Sequence, residues 1–106
     1  IMKLYISGRI GGLPRHIAEQ NFAKAEELLS QNGITAINPL KLVPAKDLFL
    51  SGAINKYAML KLIPIMLKCD GIVLLNDWQW SEGAKIEEAL ARYCGLVRID
   101  ISEFEQ

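Results

Sequence analysis

Asp70-Gly71-Ile72-Val73-Leu74-Leu75-Asn76-Asp77 decides the fold. The apolar run Gly71–Leu75 is too short for a helix and shows none of the alternation of a half-buried strand. It therefore reads as a central parallel strand covered on both faces. Downstream, Ser81 is placed to open a helix reaching about Cys94, Gly95 to stop it, and Leu96–Ile101 to form a further strand. Upstream, Ala53–Lys68 is apolar nearly all round, with lysines only at 56, 61 and 68. That pattern predicts a helix buried on more than one side, which Pro64 should kink or split.

Further upstream, Ile34–Ile37 is a short strand closed by Asn38-Pro39, because the residue before a proline is held extended. Pro44 suits the first position of a short helix to Leu50, with Ser51-Gly52 ending it. Ile17, Ala18, Phe22, Ala25, Leu28 and Leu29 recur at helical spacing after Pro14 until Asn32-Gly33. Met2–Ser7, rich in strand formers, is the first strand. Strands that alternate with helices in this way predict a three-layer α/β fold of flavodoxin or Rossmann type. Its parallel sheet would have four or five strands, with helices on both faces. At 106 residues, the whole of 1–106 reads as a single domain.

Twelve Lys and Arg balance twelve Asp and Glu, interspersed along the chain, so no nucleic acid polymer is expected as a partner. The longest apolar stretch, Met59–Leu67, contains Lys61 and Pro64 and falls far below the roughly 20 residues of a membrane span. Neither a membrane partner nor a signal peptide is expected. Cys69 and Cys94 form no CxxC pair and read as buried thiols in a reducing, cytoplasmic compartment. His16 is the only histidine, which excludes a multi-histidine metal site. There is no GxGxxG after a strand and no GxxxxGK[ST], so neither a metal nor a cofactor is expected.

In open parallel sheets, ligands bind outside the carboxyl ends of the strands. Here those ends carry Ser7-Gly8-Arg9-Ile10-Gly11-Gly12, then Asn38-Pro39, then Asn76-Asp77-Trp78-Gln79-Trp80-Ser81-Glu82-Gly83. The glycines can form an ordinary strand-to-helix turn or let the backbone approach a ligand. Ser81 can cap the helix and, with the free amides of its first turn, receive an anion. Trp78 and Trp80 can fill the core or stack on a base.

On that helix, advancing about 100° per residue from Gly83 places Ile86, Leu90, Cys94 and Ala91 on the arc facing the sheet. Glu87 falls inside the arc at roughly 40°, whereas Glu88 at roughly 140° lies beside Lys85 and Arg92 and reads as a solvated surface residue. A carboxylate turned toward the sheet needs a partner or a chemical role. Arg9 or Lys3 would supply a purely structural partner. Tyr5 can either pack or reach the same carboxylate with its hydroxyl.

Taken in order, Tyr5-Ile6-Ser7-Gly8-Arg9-Ile10-x-Gly12, Asn38-Pro39, Cys69-Asp70-Gly71-Ile72-Val73-Leu74-Leu75 and Trp78-x-x-Ser81-x-Gly83-Ala84-x-x-Glu87-x-x-x-Ala91 resemble the nucleoside 2-deoxyribosyltransferase-like superfamily. The likeness is greatest to its short, uncharacterised bacterial and phage branch. The resemblance implies that Glu87 is the nucleophile, that Tyr5 orients it, and that Ser81 binds sugar or phosphate as in monophosphate N-glycosidases. It further implies that Ser7, Gly8, Arg9 and Gly12 cradle a ligand, with Asn38, Trp78 and Gly83 beside it. Relatives commonly carry an aspartate near the base, eight positions before the Asp70 position, where this chain has Leu62. Asp77, Asp47 or a neighbouring chain would then supply the proton.

The expected function is cleavage or transfer of an N-glycosidic bond in a small-molecule nucleoside or nucleoside 5′-monophosphate. The alternative is a nucleotide-binding module of the same fold without catalysis. The surplus of apolar residues on Ala53–Leu67 predicts a homodimer or tetramer.

Overall fold

The computed structural model describes residues 1–43 and 55–105. Four strands, β1 (Lys3–Ser7), β2 (Thr35–Ile37), β3 (Gly71–Leu74) and β4 (Val97–Asp100), form one parallel sheet in the order β2-β1-β3-β4. Among the described residues there are three α-helices: α1 (Arg15–Gln31), α2 (Asn55–Leu67) and α3 (Glu82–Tyr93). The short helix expected over Pro44–Leu50 lies outside the described residues, as does Asp47.

From β1 the chain steps one way to β2, then returns across β1 to β3 and on to β4. Parallel crossovers are right-handed, so this reversal puts α1 on one face and α2 and α3 on the other. The core divides accordingly. Leu4, Ile6 and Val73 pack with Phe22, Ala25 and Leu29 of α1. Tyr5, Ile72 and Leu74 pack with Ala58, Leu62 and Met66 of α2 and Ala91 of α3. β3 is buried along its whole length, as its uninterrupted apolar sequence requires. The reversal between β1 and β3 is the switch point of a flavodoxin-like sheet, and the carboxyl ends of the strands there are open to a ligand.

Of the two outcomes expected at Pro64, a kink or a split, the split is excluded, since α2 runs unbroken through it. Proline leaves the carbonyl of Leu60 without its helical donor, but Leu60 is 63% exposed and water can take that donor's place. Cys69 is buried as expected, whereas Cys94 is exposed. As the C-cap of α3, Cys94 sits past the last turn that the sheet covers. No helix of the described residues is long and apolar enough to cross a membrane.

Candidate functional site

Alternation along β1 turns Tyr5 and Ser7 to the same face, toward α3. Helical spacing turns Glu87 of α3 back toward them. The result is a three-residue cluster at the carboxyl end of β1. The Tyr5 hydroxyl donates to Glu87 Oε2 at 2.8 Å and the Ser7 hydroxyl donates to Glu87 Oε1 at 2.7 Å. Each carboxylate oxygen is thus held by one neutral donor, and neither Arg9 nor Lys3 pairs with it. All three side chains are buried, Glu87 at 7% exposure.

Burial pushes the Glu87 carboxyl above the usual carboxylate range, and the bonds from Ser7 and Tyr5 pull it only partly back. Burial also raises the Tyr5 phenol, as does the neighbouring Glu87 charge, so Tyr5 stays protonated and acts as a donor. Replacing Tyr5 by phenylalanine removes a donor that favours the charged carboxylate. The acid limb of any Glu87-dependent activity is therefore expected to move to higher pH, with activity falling on the order of 10- to 100-fold, which a pH–rate profile would measure.

Glu87 opens on a cleft of about 490 Å³ between the β1 loop, α2 and the start of α3. Tyr5, Gly8, Gly12, Ser81 and Gly83 border it, as do Leu62 and Met59 of α2. Gly12 adopts φ +84, a left-handed conformation that glycine takes without a steric penalty. Ser81 is the N-cap of α3, its Oγ accepting from the Ala84 amide at 3.1 Å. The amides of Glu82 and Gly83 are left as donors at the helix start, suited to an anion.

Of the other residues singled out in the sequence, Arg9, Asp77, Asn38 and Trp78 lie outside the cleft lining. Arg9 curls its guanidinium onto the carbonyls of Gly11 and Gly12, at 3.3 and 3.5 Å, and so braces the glycine loop. Asp77 accepts from the Arg9 amide at 3.1 Å and faces a separate depression of about 720 Å³ against α1, which contains neither Glu87 nor its hydroxyl partners. Asn38 caps the turn Pro39–Lys41 through the Leu40 amide and donates to Glu26 at 3.2 Å. Trp78 packs on the core, with the Arg98 guanidinium 5.4 Å from its ring centre. Trp80 borders the cleft and is 79% exposed.

Two helix-wheel assignments are overturned. Glu88 is 8% exposed, not solvated, because Arg92 and Arg98 close over it at 3.4 and 3.1 Å. Ile86 is 56% exposed, because the first turns of α3 overhang the strand ends and that flank meets the cleft instead of the sheet. The cleft wall supplied by Met59 and Lys56 was not read from the sequence. Lys56, one of two lysines in this largely apolar helix, was its one visible signal. Among the described residues no three His, Cys, Asp or Glu side chains gather closely enough to share a metal ion.

Residues 2–100 match the family described as Domain of unknown function (DUF4406). No curated protein and no solved structure matches the chain.

Proposed function

The chain belongs to the DUF4406 family, and from its site we propose that it cleaves the N-glycosidic bond of a nucleoside or nucleoside 5′-monophosphate, by hydrolysis or by transfer to a second base. The observation that carries this reading is a buried carboxylate, Glu87, fixed by two hydroxyls and open to a cleft. The likeness of its sequence pattern to nucleoside 2-deoxyribosyltransferases supports it. Glu87 attacks the anomeric carbon, the bond to the base breaks, and water or another base resolves the glycosyl ester. A carboxylate suits this double displacement because its charge stabilises an oxocarbenium-like transition state. Tyr5 and Ser7 aim the carboxylate, and Ser81 with the amides of Glu82 and Gly83 receives the sugar or its phosphate. Incubation with nucleosides and their 5′-monophosphates is expected to release free base.

A second reading, a nucleotide-binding module without turnover, is favoured by Leu62, whose apolar side chain stands in the cleft wall at the position where relatives carry an acid. Calorimetric binding of a nucleotide without base release would establish it over the first.

Assembly belongs to the same proposal. Tyr57, Leu60, Pro64 and Leu67 form one exposed stripe on α2, with Tyr57 at 64% and Leu60 at 63%. A second copy covering this stripe would make a two-fold dimer. Light scattering is expected to give a dimer or tetramer for the parent chain and a monomer for Leu60→Glu. A monodisperse parent monomer at high micromolar concentration refutes assembly.

A further inference from the structure

Glu87 and Glu88 are neighbours on α3, both nearly buried at 7% and 8% exposure, yet they are compensated differently. Glu88 carries two arginine partners, Arg92 and Arg98. Glu87 receives only the neutral hydroxyls of Tyr5 and Ser7, and among the described residues no cation forms an ion pair with it. A buried carboxylate without a counter-charge is costly, and whatever enters the cleft is placed to supply that charge.

We propose that this cleft selects N-glycosides whose base is cationic, of the N-glycosylpyridinium type, over those with a neutral base. The inference rests on the glycosidase reading above and names its substrate class. Three features of the cleft agree with it. Its wall is apolar where Leu62, Met59 and Ile10 border it. The charged groups at its rim, Lys56 and Glu82, are of opposite sign and exposed to water, so their fields are screened. Trp80 presents an exposed indole whose face attracts a cationic ring.

The chemistry closes without a proton donor. A Glu87 oxygen bonds to the anomeric carbon, the carbon–nitrogen bond breaks, and its electron pair passes to the ring nitrogen, which departs as a neutral pyridine. Water then hydrolyses the glycosyl ester, giving free sugar, regenerated Glu87 and one released proton. A neutral purine or pyrimidine would instead need protonation as it leaves. The wall where Leu62, Met59 and Ile10 border the cleft is apolar, and besides Glu87 and its partner Tyr5 the described ionisable groups of the cleft are the water-exposed Lys56 and Glu82 at the rim.

The test has a binding arm and a turnover arm. In calorimetry, 1-methyl-3-carbamoylpyridinium is expected to bind at least about tenfold more tightly than its neutral isostere 3-methylbenzamide, and Glu87→Gln to erase the preference. Equal binding of the two probes, or a preference retained in Glu87→Gln, overturns charge selection. In the turnover arm, the riboside and 2′-deoxyriboside of pyridinium-3-carboxamide are compared with inosine, uridine and their deoxy forms, with and without 5′-phosphate. Each kcat/KM is divided by the uncatalysed rate, and the pyridinium substrates are expected to lead. Neutral nucleosides cleaved equally well would overturn the selection and leave the glycosidase reading standing. Selective binding of the cation with no base released from any substrate would do the reverse, and binding of neither probe with no release would overturn both.

Discussion

Replacing Glu87 by glutamine is expected to lower base release by at least about 10³-fold, since the amide keeps the shape of the side chain but cannot serve as the nucleophile. Glutamine can still take part in hydrogen bonds with Tyr5 and Ser7, so the variant should fold. In the parent chain the rate should fall as pH drops through the raised Glu87 ionisation, above the pH at which an ordinary carboxylate would be protonated. Stability should move in the opposite direction. The folded state holds the Glu87 proton to a higher pH than the unfolded chain does, so unfolding releases it in that window. The contribution of Glu87 is then fully present below the unfolded pKa and is lost as pH rises through the folded one. Glu87→Gln is therefore expected to melt at a higher temperature than the parent at neutral pH, with the difference closing in acid. Calorimetric scans across pH would measure it, and a variant that releases base at the parent rate would end the assignment of Glu87 as nucleophile.

Gly71→Ala is expected to have the largest effect on stability. A Cβ at this position would stand 2.6 Å from the Val97 carbonyl oxygen, 2.9 Å from Leu4 Cδ2 and 3.0 Å from Val97 Cβ. The nearest obstacle is the backbone of the neighbouring strand, which no rotamer change can move aside. Overpacking of this kind costs about 2–3 kcal/mol, and in a domain of this size that lowers the melting midpoint by roughly 10–20 °C. Gly71 opens β3, at the end of the sheet opposite Ser7 and Glu87, so the fraction that remains folded should keep its ligand affinity. A melt within a few degrees of the parent would show that β4 can shift outward at little cost. As an edge strand, β4 is held on one side only, and such a melt would overturn the assignment of Gly71 as a tight contact.

The sequence by itself determined the order of the elements and most of their limits. Period and punctuation are local properties: the unbroken run at Gly71–Leu75 can only be a strand buried on both faces, and Ser81 with Gly95 brackets α3. It also determined that Glu87 turns inward, because a rotation of about 100° per residue needs no knowledge of the rest of the chain. What lies opposite an inward residue is another matter. Tyr5 and Ser7 meet Glu87 across more than three-quarters of the chain, a contact set by the strand order β2-β1-β3-β4. The sequence left Tyr5 open between packing and this carboxylate, and the tertiary structure decided for the carboxylate and added Ser7 as the second neutral hydroxyl. The same holds for Glu88. Its wheel position pointed to water, but Arg98 reaches it from β4, a strand that becomes its neighbour only once the sheet forms. Cys94 and Ile86 fail in the opposite sense, since an apolar arc marks a direction and not how far the sheet extends beneath it. Helical phase sets direction, whereas burial and charge compensation depend on which distant elements are packed there.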